Sequence, residues 1–137
     1  MRSGGDRTLL FVTVCTAQRS PWLACDFVHD QLCRVWRAAD AWLVGSYVIM
    51  PDHMHFFCAP HNRDISVDRW LQYWKSQFTK SHQREDWCWL PRAFHHRLRN
   101  ADSVQEKYAY MEQNPVRAGL VKDADEWRFR GKIHDIP

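Results

Sequence analysis

The 137-residue sequence lacks several features that define special classes of protein. Its five cysteines, at positions 15, 25, 33, 58 and 88, are an odd number and include no Cys-x-x-Cys pair. This pattern argues against a disulfide framework and against a cysteine-rich zinc site. No apolar stretch has the length of a membrane span, and the first residues do not resemble a signal peptide. We therefore expect a cytoplasmic protein with no membrane partner.

Charge of one sign is also scarce, since the net charge is only +3 at pH 7. The content of 45% hydrophobic and 26% charged residues is that of an ordinary globular protein. No repeat, linker or low-complexity tract divides the chain. We predict one domain over residues 1–137, with a core over about 8–121 and a polar tail over 122–137. Eight tryptophans are a surplus, and we expect most of them to fill the core.

Hydrophobic periodicity and turn residues predict seven elements. Strands are expected over residues 8–15, 41–50, 54–59 and 94–99, the first of them buried on both faces. Helices are expected over residues 26–40, 66–84 and 101–113, the last ended by Asn114-Pro115 because proline disfavours a helical predecessor. This order predicts an α+β, ferredoxin-like split βαβ fold, an antiparallel sheet with helices packed on one face.

His53 and His55 flank Met54 at the start of the third predicted strand. In an extended chain, side chains two residues apart point to the same face, so the two imidazoles converge while Met54 points away. Two neutral imidazoles can form half of a divalent metal site. In a chain with eight histidines the spacing also arises by chance. The flanking strands and the Pro51-Asp52 turn favour the metal site, because they hold the pair rigidly.

Tyr110 and Asn114 are four residues apart on the third predicted helix, and therefore share a face. The side-chain oxygen of Asn114 suits Mg²⁺ or Mn²⁺ and could complete the histidine pair. By themselves these residues are better explained by a half-buried tyrosine on an amphipathic helix that Asn114-Pro115 ends. Tyr108 projects from a different side, so only one of the two tyrosines should face the histidines.

Together these residues suit phosphodiester chemistry. Cleavage needs a metal that polarises the phosphate and a nucleophile that can retain the strand. A tyrosine hydroxyl can form a phosphotyrosine ester and release a free 3′ hydroxyl. Because the ester conserves the energy of the broken bond, a hydroxyl can later rejoin the DNA without a nucleotide cofactor.

Several blocks of the sequence closely resemble the REP-associated tyrosine transposases, which belong to the wider single-tyrosine, His-hydrophobic-His transposase superfamily. The resemblance covers about residues 8–127 and is carried by four segments: Phe11-Val-Thr-Val-Cys-Thr-Ala-Gln-Arg-Ser20, Tyr47-Val-Ile-Met-Pro-Asp-His-Met-His55, Trp89-Leu-Pro-Arg-Ala-Phe-His-His-Arg-Leu-Arg99 and Tyr110-Met-Glu-Gln-Asn-Pro-Val-Arg-Ala-Gly-Leu-Val121.

The resemblance implies a ferredoxin-like fold, Mg²⁺ or Mn²⁺, and cleavage and joining of single-stranded DNA at the foot of a hairpin through a covalent 5′-phosphotyrosine. His53 and His55 match the metal histidines of the superfamily, Tyr110 matches the nucleophile, and Asn114 falls where the third ligand is placed. His96 matches a histidine common before the catalytic helix, with a structural or DNA-contacting role. The protein would be nucleoid-associated, and either a monomer or a homodimer.

Basic residues of the second helix and of the segments around the third are the predicted DNA contacts, because single-stranded DNA binds largely through its phosphates. For any single one of them a solvated helix face is an equal alternative. The predicted DNA-binding residues are Lys75, Lys80, Arg84, Arg92, His96, Arg97, Arg99 and Arg117.

Two other functions compete with an active transposase. One is a domesticated DNA-binding protein that retains the fold without turnover, which the intact set of His53, His55, Tyr110 and Asn114 disfavours. The other is a zinc hydrolase or a structural metal site, which is disfavoured because no third histidine or cysteine lies at a zinc-like spacing.

Overall fold

One antiparallel sheet organises the molecule, in a computed structural model that describes residues 8–136. Its strands within that range are β1 (Leu10–Cys15), β2 (Trp42–Ile49), β3 (His53–Pro60), β4 (Phe94–Arg97) and β5 (Arg130–Lys132). The helices are α1 (Asp26–Ala38), α2 (Val67–Lys80) and α3 (Ala101–Arg117). The strand order is β4-β1-β3-β2-β5, with every neighbouring pair antiparallel. The predicted α+β class and the order of the first seven elements are confirmed, while residues 1–7 and 137 of the predicted domain lie outside the described residues.

The larger core lies between the sheet and the helices α1 and α2. Val12, Met54 and Phe56 point into it from the two central strands, and each is completely buried. Three tryptophans from the helices, Trp36, Trp70 and Trp74, fill the same layer and pack against Phe56. None of the eight tryptophans is exposed, which confirms that they serve mainly as core residues.

The helix α3 does not pack on the same face of the sheet as α1 and α2, contrary to the prediction. The smaller core, on the opposite side of the sheet, contains Phe11, Val48 and Phe57 from the strands together with Met111 from α3. The expectation that all helices pack on one face is therefore wrong for α3. The physical reason is that the central strands carry apolar side chains on both faces, so each face needs a cover.

The predicted end of the third helix at Asn114-Pro115 is also wrong, since α3 continues to Arg117 with the buried Pro115 inside it. Proline removes one hydrogen bond from a helix, and the burial of Pro115 offsets that loss. The chain leaves the helix at Gly119, two residues after Arg117, where a φ of +76° is left-handed. The Gly119 N–H donates to the Val116 carbonyl at 3.0 Å and the Leu120 N–H to the Pro115 carbonyl at 3.0 Å, a Schellman motif.

The segment predicted as a polar tail contributes β5, which pairs with β2. Trp127 anchors this segment, because its indole N–H donates to the Ile49 carbonyl at 3.0 Å. A three-residue strand with the sequence Arg-Gly-Lys has no hydrophobic alternation, so the sequence pattern could not reveal it. Over residues 8–136, no helix combines the length and the apolar character that crossing a membrane requires.

Gly119→Ala should lower the free energy of unfolding by about 1 kcal/mol, because alanine resists the left-handed conformation. A Cβ at this position would meet no atom within 4 Å, so the cost is conformational rather than steric. Gly119→Asn should cost less, since asparagine tolerates this conformation. Urea unfolding followed by circular dichroism measures both, and an alanine variant as stable as wild type would contradict the assignment.

Candidate active site

The histidine pair lies at the start of β3, on the face of the sheet that α3 covers. A two-residue turn, Pro51-Asp52, precedes it and is closed by the Met50 N–H donating to the His53 carbonyl at 2.7 Å. The imidazole centroids of His53 and His55 are 4.9 Å apart, whereas Met54 points into the larger core. The structure therefore brings the two predicted metal-binding imidazoles together on one face.

Each imidazole is engaged through Nδ1. The Nδ1 atom of His55 is 2.9 Å from the Thr13 hydroxyl, and the ring stacks on Phe11 with centroids 5.2 Å apart. The Nδ1 atom of His53 is 2.7 Å from a carboxylate oxygen of Asp52. When Nδ1 carries the proton, the lone pair of each ring is on Nε2, as in most metal-binding histidines. Among residues 8–136, no group makes a hydrogen bond to the buried Nε2 of His55.

The electrostatic environment keeps His55 uncharged. Burial, followed by the positive fields of His53, Lys107 and Arg19, lowers the pKa of His55 to about 3. The ring is therefore neutral at physiological pH, which is the form that binds a metal. For Asp52, burial raises the pKa, but hydrogen bonds from His53 and Arg19 outweigh burial and hold it below its ordinary value. The carboxylate of Asp52 thus lies beside His53, whereas the hydrogen-bond partner of His55 within residues 8–136 is the Thr13 hydroxyl.

Tyr110 extends from α3 to the histidine pair. Its ring meets the His55 ring edge-on, with centroids 5.4 Å apart and 42% of the residue exposed. Tyr108, two residues earlier, stacks instead on Phe57 with centroids 6.2 Å apart. The tyrosines project in different directions, and Tyr110 is the one in contact with the histidines.

Asn114 follows Tyr110 by one helical turn on α3 and is half-buried. Its amide nitrogen is buried and makes no hydrogen bond to any part of the chain that the structure describes. An amide nitrogen is a hydrogen-bond donor and does not bind a cation, so the atom of Asn114 that could bind a metal is its side-chain oxygen. In residues 8–136, no cluster of three or more His, Cys, Asp or Glu side chains could hold a metal, so a metal here would rely on imidazole and amide groups together.

Positive charge surrounds the tyrosine. The ammonium of Lys107 lies 5.8 Å and the guanidinium of Arg117 lies 5.7 Å from the centre of the Tyr110 ring. Both residues line an open cleft of about 610 Å³ beside that ring. Sequence reasoning singled out Arg117 but missed Lys107, although its position three residues before Tyr110 on one helix was a usable signal. His96 also lies near the histidine pair, since its ring is 6.0 Å from that of Phe11, which stacks on His55.

Comparison with known proteins assigns the family. Over 94 residues, 68% of its length, the chain is 32% identical to the REP-associated tyrosine transposase of Escherichia coli K12. The chain belongs to the REP-associated tyrosine transposase family. The match spans 56% of the length of that relative. A Haemophilus influenzae protein provisionally given the same name is 24% identical over 93% of this chain and 81% of its own.

The fold of this family member is also that of a solved relative. A structure of a REP-associated tyrosine transposase bound to a REP hairpin superposes with a TM-score of 0.79, covering 99% of this chain and 93% of the other at 22% identity. At 22% identity, this structural similarity is evidence for the fold only. No protein-family model matches the chain.

The structure contradicts one of the predicted DNA contacts, Lys75. Lys75 is buried with 8% of its surface exposed, and its ammonium donates to the carbonyls of Leu90 and Pro91 at 3.3 and 3.2 Å. Burial lowers its pKa. The periodicity of α2 places Lys75 next to the core residue Trp74, so the side chain ties α2 to the segment before β4 rather than facing DNA.

The remaining predicted DNA contacts are on the surface. Arg84 is exposed, but its guanidinium already has partners within the chain, since it forms two hydrogen bonds with Asp86 and lies 4.9 Å from the centre of the Trp87 ring. The exposed residues of the predicted set are Lys80, Arg84, Arg92, His96, Arg97, Arg99 and Arg117. His96 and Arg117 in this set have ring contacts that connect them to the histidine and tyrosine residues.

Lys75→Ala should lower the free energy of unfolding by about 1 to 3 kcal/mol, because two carbonyls lose their donor and a buried aliphatic stem is removed. Lys80→Ala, at an exposed position of the same helix, is the matched control and should change stability by less than about 0.5 kcal/mol. Chemical denaturation measures both variants. Equal stabilities of the two would show that Lys75 has no structural role.

Proposed function

We propose that the protein is a divalent-metal-dependent endonuclease and strand-transferase for single-stranded DNA, a transposase that acts beside DNA hairpins through a covalent 5′-phosphotyrosine on Tyr110. The observation that carries this proposal is the contact between Tyr110 and His55 at 5.4 Å, on a face where both imidazoles are engaged through Nδ1. Family membership supports the transposase function, and the solved relative is bound to a REP hairpin.

The donor groups fit a hard or borderline divalent cation. His53, His55 and Asn114 would hold Mg²⁺ or Mn²⁺ through two imidazole nitrogens and one amide oxygen. When bound, such an ion withdraws negative charge from the scissile phosphate and makes its phosphorus more susceptible to attack. The buried and unsatisfied Nε2 of His55 supports this assignment.

The covalent step belongs to Tyr110. Its phenolic oxygen attacks the phosphorus and gives up its proton to water, the new O–P bond forms, and the bond from phosphorus to the 3′ oxygen breaks. The 3′ oxygen takes up a proton and leaves as a hydroxyl, while the 5′ phosphate stays on Tyr110. Rejoining reverses these changes when a 3′ hydroxyl attacks the same phosphorus and displaces the tyrosine, so no nucleotide cofactor is consumed.

The cations around Tyr110 support the same step. Lys107 and Arg117 lie 5.8 and 5.7 Å from the centre of its ring and line the cleft of about 610 Å³, which would accept a strand of DNA. They attract the phosphodiester and stabilise the negative charge that develops on its oxygens. Exposed basic residues on and after β4, including His96, Arg97 and Arg99, would contact the DNA backbone.

A covalent protein–DNA adduct should form when wild type is incubated with Mn²⁺ and a hairpin oligonucleotide that carries a single-stranded flank. Tyr110→Phe should abolish the adduct because it removes the attacking oxygen. Tyr108→Phe is the matched control, since Tyr108 faces Phe57 and not the histidines. Denaturing gel electrophoresis of labelled DNA measures the adduct.

The outcomes separate the candidate functions. DNA binding with no adduct across a broad set of flanks would contradict the enzyme and favour a DNA-binding protein without turnover. An adduct that survives Tyr110→Phe but not Tyr108→Phe would show that the nucleophile is misassigned.

His55→Ala should lower the rate of adduct formation by about 100-fold or more, because metal binding contributes several kcal/mol to the transition state. His61→Ala, on an exposed loop, is the control and should retain the wild-type rate. The metal assignment would be wrong if EDTA left adduct formation intact.

Since Tyr110 contacts His55 of the same chain, we infer that one subunit supplies both the tyrosine and the histidines of an active site, a cis arrangement. A mixture of His55→Ala and Tyr110→Phe should therefore stay inactive.

A further inference from the structure

We propose that Asp52 and Arg19 form a positioning pair that orients His53 and thereby sets the affinity of the site for its divalent metal. The inference rests on the metal site of the proposed function and adds two residues to it. Neither is a ligand in this scheme, and each acts through the imidazole of His53. The carrying observation is a chain of contacts that runs from Arg19 through the carboxylate of Asp52 to Nδ1 of His53.

Asp52 is held firmly enough to orient a neighbour. It is the second residue of the turn that precedes β3, and its carbonyl accepts a hydrogen bond from the N–H of Thr16 at 3.0 Å and lies 3.1 Å from the Thr16 hydroxyl. Thr16 is completely buried. The backbone of Asp52 is therefore fixed to the end of β1, and its carboxylate has little freedom to follow a moving imidazole.

The two oxygens of that carboxylate have different partners. One lies 2.7 Å from Nδ1 of His53 and the other accepts from Nε of Arg19 at 3.0 Å. At 2.7 Å two acceptors would repel each other, so the proton of the neutral ring lies on Nδ1 and points at Asp52. The lone pair is then on Nε2, the atom that a metal needs.

The backbone that presents Arg19 is strained. Gln18 and Arg19 have φ values of +57° and +54°, in the left-handed region that costs a residue other than glycine about 1 kcal/mol or more. They are the described residues other than glycine with positive φ. Such strain persists where the surroundings impose it, and here it brings the guanidinium to Asp52 and within 3.4 Å of Nδ1 of His53.

His53 is held less by packing than His55 is, so its orientation depends more on this pair. His55 is 5% exposed, and its ring stacks on Phe11 and forms a hydrogen bond with Thr13, so its orientation is fixed by its neighbours in the core. The His53 side chain is 16% exposed at the mouth of the site, and its partner Asp52 is 29% exposed. Contacts with the carboxylate and guanidinium replace the packing that His55 receives. Loss of the pair should therefore weaken metal binding without unfolding the protein.

Direct Mn²⁺ binding tests this proposal in the absence of DNA, with the electron paramagnetic resonance signal of free Mn²⁺ as the readout. Asp52→Ala should raise the dissociation constant about 10- to 100-fold, the range typical of lost partners to metal-binding histidines. Asp52→Asn should recover much of the affinity, because its amide oxygen still accepts from Nδ1. Arg19→Gln should weaken binding by a smaller factor than Asp52→Ala.

Asp30→Ala is the matched control, since Asp30 also pairs with an arginine but on the exposed surface of α1. It should bind Mn²⁺ like wild type. In the cleavage assay, the Mn²⁺ concentration for half-maximal adduct formation should rise in Asp52→Ala while hairpin affinity stays unchanged. Circular dichroism confirms that each variant is folded, and Asp52→Asn and Arg19→Gln carry the test if Asp52→Ala does not fold.

The failure modes are distinguishable. Wild type that binds Mn²⁺ with Asp52→Ala binding equally well would overturn the positioning role and leave the proposed function intact. Equal losses in Asp52→Asn and Asp52→Ala would overturn the hydrogen bond as its basis. Wild type that binds no Mn²⁺ would overturn both this inference and the metal dependence of the proposed function.

Discussion

The alternation of side chains along β3 is the constraint on which the rest of the molecule depends. Met54, Phe56 and Cys58 are completely buried in the larger core, so their partners in the alternation, His53 and His55, must point to the opposite face. A slip of one residue would bury the imidazoles and expose the core residues. The free energy of core formation therefore also fixes the direction of the candidate metal site.

The opposite face is covered far more lightly, and the candidate chemistry lies there. Among the described residues of α3, only Met111 and Pro115 are buried. The rest of the helix surface is left for polar side chains, which allows Tyr110 to be half-exposed and still touch His55. A helix buried more deeply would shield its tyrosine from a DNA strand. The light packing of α3 and the access to Tyr110 are thus two consequences of one arrangement.

Particular residues show how far sequence reasoning reached. The spacing of His53 and His55, and of Tyr110 and Asn114, placed each pair on one face, because strand and helix periods are local properties of the chain. The role of Lys75 was wrong, since only the approach of the segment before β4 offers carbonyls to its ammonium. The contact of Asp52 with Arg19 was also missed, because it joins residues that are 33 positions apart in the chain.

The sequence by itself determined the element order, the α+β class and the direction of the side chains within each element, since these depend on local periodicity. The tertiary structure alone decided which face α3 covers, how far it continues past Asn114-Pro115, and that β5 joins the sheet. These features depend on burial and hydrogen bonds between distant segments, which can override local preference. The meeting of the histidine pair with Tyr110 belongs to this second group, because it requires α3 to lie on the face of the sheet that carries the imidazoles.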